Sequence, residues 1–197
     1  MARRIYFSFH YDRDIMRAMA VRNCNKLLED ESFFYDSSLD EKARREGDSA
    51  VRRLINQGIE GTSVTCVLIG AETYARPWVR YEIAKSLEHG NGLFGIYLDS
   101  LSNFQGQYDA RGSNPFDYIE FIWSNESNDH RLMEWRNSSW QPYEPVPSAG
   151  SVGLLADPTG PIAGQISILA PVYEWDTQRG AALLTLWSER AAVAAGR

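Results

Sequence analysis

Glu82 follows Trp78 by four residues, a spacing that puts both side chains on one face of a helix. An aromatic wall beside a carboxylate suits a sugar or a nucleotide. The spacing alone is weak, because a packed tryptophan beside a solvated acid looks the same and carboxylates are seldom buried. Two other groups carry polar chemistry. Ser8-Phe9-His10-Tyr11 leaves the apolar run Ile5 to Phe9, and Asp36-Ser37-Ser38 follows Phe33-Phe34-Tyr35. Phe7 and Phe9 fall on one strand face and Ser8 on the other, with both phenylalanines expected in the core. His10 reads as a hydrogen-bonded structural residue with no part in proton transfer. Asp36 and Ser37 fit a ligand contact and a turn equally well.

These residues need elements to position them. Ile5 to Phe9 predicts a first strand, and Asp14 caps the helix after it, where Ile15, Met16, Met19 and Ala20 have helical spacing. Phe33 to Tyr35 predicts a second strand. From about Asp40 to Gln57 the pattern is helical, with Val51, Leu54, Ile55 and Ile59 in one stripe and Gly58 and Gly61 at its end. Val64 to Ile69 is apolar throughout and suits a strand covered on both faces. Pro77 fits the first turn of a helix that stops at Gly90, with Val79, Ile83 and Leu87 as its buried stripe. Leu93 to Leu98 is the next strand. Strands alternating with helices predict an α/β fold, a central parallel sheet flanked by helices. Ligands bind such sheets at the carboxyl ends of the strands, where all three groups of candidates collect.

After Asp99 the chain turns polar, with an apolar island at Phe116 to Trp123. Leu132 to Tyr143 reads as a hairpin turning near Asn137-Ser138-Ser139. Residues 145–164 read as loop, and a helix starts near Gly180. The division expected is a main domain over residues 1–125 and a C-terminal extension, 126–197, packed on the same domain.

Composition removes several functions. The chain has 197 residues and a net charge of −6, which argues against binding nucleic acid through its phosphates. Arg44-Arg45 with Arg52-Arg53 is the best candidate for a local basic patch, and a solvated helix face is the readier reading. Cys24 and Cys66 form no metal-type pair and read as reduced, which fits a cytoplasmic protein. The N-terminal apolar run is too short for a signal peptide, and no run suits a membrane span. No glycine-rich dinucleotide fingerprint and no P-loop are present. Ala149 to Gly153 lacks the first glycine of a nucleophile elbow. His10, His89 and His130 are too scattered to suggest a metal site, and His89 suits the end of a helix.

Four segments resemble one family in order along about the first 120 residues. They are Phe-Ser-Phe-His-Tyr (7–11), Ser-Val-Thr-Cys-Val-Leu-Ile-Gly (63–70), Trp-Val-Arg-Tyr-Glu-Ile (78–83) and Asn-Pro-Phe-Asp-Tyr (114–118). They are similar to the bacterial TIR-like proteins of the Thoeris anti-phage defence system, the ThsB group. The resemblance implies a flavodoxin-like TIR fold and homo-oligomers formed through TIR–TIR contacts. It implies NAD as a substrate, with no tightly bound cofactor. It also implies loss of nicotinamide and a cyclic ADP-ribose-type signal that diffuses to a separate effector of the ThsA type. Glu82 matches the catalytic glutamate. Ser8, Phe9, His10, Tyr11, Asp36, Ser37 and Trp78 are the expected substrate contacts.

Many TIR enzymes carry arginines after the first strand, where this chain has His10 and Tyr11. Phosphate contacts then fall to backbone N–H groups at a helix start, to Arg13 or to Arg45. Nicotinamide leaves from a pyridinium and needs no proton, so one carboxylate suffices. Glu82 is expected to hold the ribose hydroxyls and stabilise the cation-like sugar. The rival readings are a non-catalytic TIR scaffold acting by self-association and a nucleotide sensor without turnover.

Overall fold

A computed structural model describes residues 3–24, 47–124, 129–149, 153–155, 162–175 and 179–197. In chain order its elements are β1 (Ile5–Ser8), α1 (Tyr11–Asn23), α2 (Asp48–Glu60), β2 (Val64–Ile69), α3 (Pro77–His89), β3 (Gly92–Tyr97), β4 (Ile119–Ser124), β5 (Asp129–Arg136), β6 (Ser139–Pro142), β7 (Ala163–Gln165), β8 (Val172–Glu174) and α4 (Gly180–Ala194). Phe33 to Tyr35, Asp36, Ser37, Arg44, Arg45 and the expected helix before Gly47 lie outside the described residues.

The unbroken apolar run of β2 is buried at every position. It pairs in parallel with β1 on one side and β3 on the other, and β8 extends the sheet in the order β1-β2-β3-β8. Period-two alternation sends β1 to both faces. Ile5 and Phe7 join Ala18 and Val21 of α1 and Leu184 and Trp187 of α4. Tyr6 points the other way, to Val51, Ile55 and Ile59 of α2 and Val79, Ile83 and Leu87 of α3. Helices therefore cover both faces, as the alternating pattern predicts.

The second sheet is antiparallel, in the order β6-β5-β4-β7. The β5–β6 hairpin turns at Asn137 and Ser138, whose φ values of 52° and 61° suit a tight two-residue turn. Phe121 and Leu132 from this sheet, with Tyr143 just after β6, join the α2/α3 core, so the extension shares one apolar interior with the parallel sheet. A boundary near residue 125 falls between the paired strands β4 and β5. Farther on, β8 and α4 complete the parallel sheet and its cover.

Several local expectations change. Asp14 is not a cap: α1 begins at Tyr11, after His10, and Asp14 lies buried inside the helix against Arg17 Nη1 at 3.2 Å. Gly70 leaves room for it, since a Cβ there would meet Asp14 Oδ2 at 2.1 Å. Gly58 sits within α2, and Gly61 ends that helix. Gly90 does end α3, with φ +78° in the left-handed region. β5 begins earlier than the expected hairpin, at Asp129, and β7 opens inside the segment read as loop. Among the described residues, no helix is long and apolar enough to cross a membrane.

Candidate active site

β1 and α3 meet at a carboxylate. Tyr6 and Ser8 are two residues apart on β1, so their side chains share the face that looks at α3. Tyr6 Oη donates to Glu82 Oε1 at 2.6 Å, and Ser8 Oγ donates to Glu82 Oε2 at 2.5 Å. Glu82 itself is only 8% exposed. A donor at each oxygen fixes the plane of the carboxylate and suits its ionised form. The rest of α3 holds the helix in place, with Val79, Ile83 and Leu87 buried against the sheet.

Glu82 opens onto a cleft of about 330 Å³ at the carboxyl end of β1. Phe9, His10, Tyr11 and Asp12 form one wall, Val51 and Ile55 of α2 a second, and Arg76, Pro77, Trp78 and Val79 a third. The structure thus brings together Glu82, Phe9, His10, Tyr11 and Trp78, with Ser8 behind Glu82. Asp36 and Ser37 are outside the described residues. Trp78 is half-buried against the core and meets Tyr81 edge to face, with centroids 5.9 Å apart. Its two expected uses, core packing and pocket wall, are therefore combined in one side chain. Phe9 meets the core expectation in part, since it packs against the same cluster as Phe7. Phe7 is fully buried, but Phe9 is half-buried and lines the cleft.

His10 is 7% exposed, and its Nε2 contacts Arg76 Nη2. A guanidinium only donates, so Nε2 is the acceptor and the ring proton belongs on Nδ1, a tautomer assigned from this contact. Burial first, and the Arg76 charge second, push the His10 pKa down. The imidazole is accordingly neutral at pH 7, in keeping with a structural role.

Two residues of this site escaped sequence reasoning. Tyr6 was an undistinguished aromatic in a strand, although its two-residue offset from Ser8 already put both hydroxyls on one face. Arg76 precedes the helix-opening Pro77 and so stands at the N-cap of α3. The expected phosphate contact Arg13 is otherwise engaged. It donates to Asp109 at 2.7 and 2.8 Å and to Glu72 at 2.6 Å. Among the described residues, Arg76, and not Arg13, lines the cleft.

A parallel sheet covered on both faces, with an acid presented at its carboxyl edge, is the arrangement of a TIR-like domain. The family model for the TIR-like domain of the Thoeris protein ThsB matches residues 6–103. The "Putative cyclic ADP-D-ribose synthase ThsB1" of Bacillus cereus (strain MSX-D12) is 37% identical over 190 residues, covering 95% of this chain and 99% of that relative. The chain belongs to the ThsB family of Thoeris TIR-like proteins. Tyr6, Ser8, His10, Arg76, Trp78 and Glu82 all fall inside the family match, and β4 to β8 lie beyond it.

Proposed function

We propose that the chain cleaves the nicotinamide–ribose bond of NAD and closes the ADP-ribose part into a cyclic product. The observation that carries this reading is the Glu82 carboxylate, held by Tyr6 and Ser8 and facing a cleft walled by Trp78, His10 and Arg76. The similarity to a relative named as a cyclic ADP-D-ribose synthase supports it.

In this mechanism the bond from ribose C1′ to the pyridinium nitrogen breaks. Its electron pair leaves with nicotinamide, which departs neutral. Positive charge develops on the sugar, and Glu82 stabilises it while accepting from the ribose hydroxyls. The tethers from β1 mean that Glu82 need not reorganise as the charge forms. A neutral His10 adds no opposing charge. Arg76 offers the pyrophosphate a cation at the cleft wall. A nucleophile within the ADP-ribose part then attacks C1′ and closes the ring, and any proton it carries passes to solvent. Water at the same position gives linear ADP-ribose. The apolar walls from Phe9, Val51, Ile55 and Trp78 limit water and favour the internal attack.

NAD is turned over and no cofactor is held. The protein acts in the cytoplasm, assembles through TIR–TIR contacts, and its product activates an effector of the ThsA type. Mass spectrometry of NAD incubated with concentrated protein tests the core of this reading. Nicotinamide and an isomer of cyclic ADP-ribose should both appear, and both should vanish with Glu82→Gln. Product formation that survives Glu82→Gln would remove Glu82 from the mechanism.

A further inference from the structure

Trp78 and Pro77 line a second cleft as well as the first. It has a volume of about 240 Å³ and lies between α2, α3 and the β5–β6 hairpin. Its walls carry the guanidinium groups of Arg52, Arg80 and Arg136 and the rings of Trp78, Tyr81 and Tyr143. Two carboxylates also line it, Asp48 and Glu134. Three cations against two acids leave one positive charge, in a chain whose net charge is −6.

The groups have separate tasks. Glu134 is 7% exposed and accepts from Arg80 Nη1 at 3.1 Å, and Arg136 Nη1 lies 3.4 Å from its other oxygen. Arg80 also donates to the carbonyls of Tyr74 and Trp135, which ties α3 to the hairpin. Arg136 is more open, with its side chain 53% exposed, and it also donates Nε and Nη2 to Gln141 Oε1 at 3.3 and 3.0 Å, a surface contact that a phosphate would have to displace. The Arg52 guanidinium lies 5.0 Å from the centroid of the Tyr81 ring, a contact that orients a cation without neutralising it. Tyr143 is buried, and burial pushes its phenol pKa up, so it stays a neutral donor.

Forked guanidinium groups recognise phosphate oxygens, and aromatic rings offer a flat surface to a base. We infer that this cleft is a subsite for a nucleoside phosphate, with Arg52 and Arg136 on the phosphate and the aromatic lining against the base. The same chemistry has two sources: the adenylate end of the substrate, or a free nucleotide bound beside it. Only the choice between them rests on the NAD reading of the Glu82 cleft.

The test is calorimetric titration of AMP into the Glu82→Gln protein. Saturable binding is expected, weakened about tenfold or more by the double substitution Arg52→Ser, Arg136→Ser. Two results overturn the inference: no AMP binding at millimolar concentration, or affinity unchanged in the double variant. If the double variant does not fold, Arg136→Gln alone carries the test. A loss of about threefold or more supports the subsite, and no change overturns it. Saturating NAD then separates the sources. Blocked AMP binding assigns the subsite to the substrate's adenylate end, and undiminished binding assigns it to a free nucleotide. NAD that fails to bind Glu82→Gln while AMP still binds would count against the NAD reading and leave the subsite standing.

Discussion

The two clefts on either side of Trp78 each contain a nearly buried glutamate, and they use it in opposite ways. Glu82 receives the hydroxyls of Tyr6 and Ser8, which orient the carboxylate from the sheet. Glu134 receives the guanidinium of Arg80, with Arg136 close by, and these both orient and neutralise it. Burial alone therefore does not mark a reactive acid. The partners differ: hydroxyls from β1 hold the first acid at the edge of a cleft, and guanidinium groups make the second tie a helix to a hairpin.

Exchanging the two acids' fates is the sharpest way to break that comparison. Glu82→Gln should lower kcat for nicotinamide release by about 100-fold or more, as loss of a charge-stabilising group does, with the melting temperature nearly unchanged. Glu134→Gln should do the reverse. Turnover should stay within about threefold, while urea unfolding shows a loss of about 2 kcal/mol from a broken, partly buried ion pair. Equal effects of the two substitutions on kcat would mean that the hydroxyl-held acid has no special role.

Tyr6→Phe removes one tether without changing the ring. It should reduce kcat about tenfold with little change in KM, the scale of one hydrogen bond to a charged group. Arg76→Ala should raise the KM for NAD severalfold, about the worth of one exposed charge contact. It should also raise the His10 pKa, because the Arg76 charge helps hold it down. An NMR titration of the imidazole that did not move would contradict the contact.

Asp14 adds a third buried acid, and its signature is in stability. Burial raises its pKa to about 6, against the neighbouring Arg17 charge, which lowers it. The folded protein then holds this proton more tightly than the unfolded chain. The resulting stabilisation is full below about pH 4 and is lost as pH rises through about 6, by at most about 1.4 kcal/mol per pH unit. Denaturation of Asp14→Asn across pH 4–6 should show a flatter fall than the parent, and identical slopes would rule this out.

Much of the parallel sheet was legible because its strands carry their own signal. The apolar run of β2 needs burial on both faces, and the Pro77 start and Gly90 stop frame α3. The hairpin was legible from Asn137-Ser138. The strands β7 and β8 were not, since three residues are too few to show a period. Asp14 misled because an acid near a helix start suits both a cap and an interior position. Which it takes depended on Gly70, distant in sequence but adjacent in space. In the site, Glu82, Trp78 and Ser8 were legible from spacing and resemblance. Tyr6 and Arg76 needed the cleft itself, because neither residue type is unusual at its place in the chain.

Arg52, Trp78, Arg80 and Tyr81 belong to the segment shared with the family model, whereas Glu134, Arg136 and Tyr143 come from beyond it. The Glu82 cleft is built entirely within the shared segment. Substitutions at the exposed positions of β5 and β6 therefore alter one wall of the second cleft without changing a residue that lines the Glu82 cleft. The hairpin is thus a handle on one cleft that stands a single helix face away from the other.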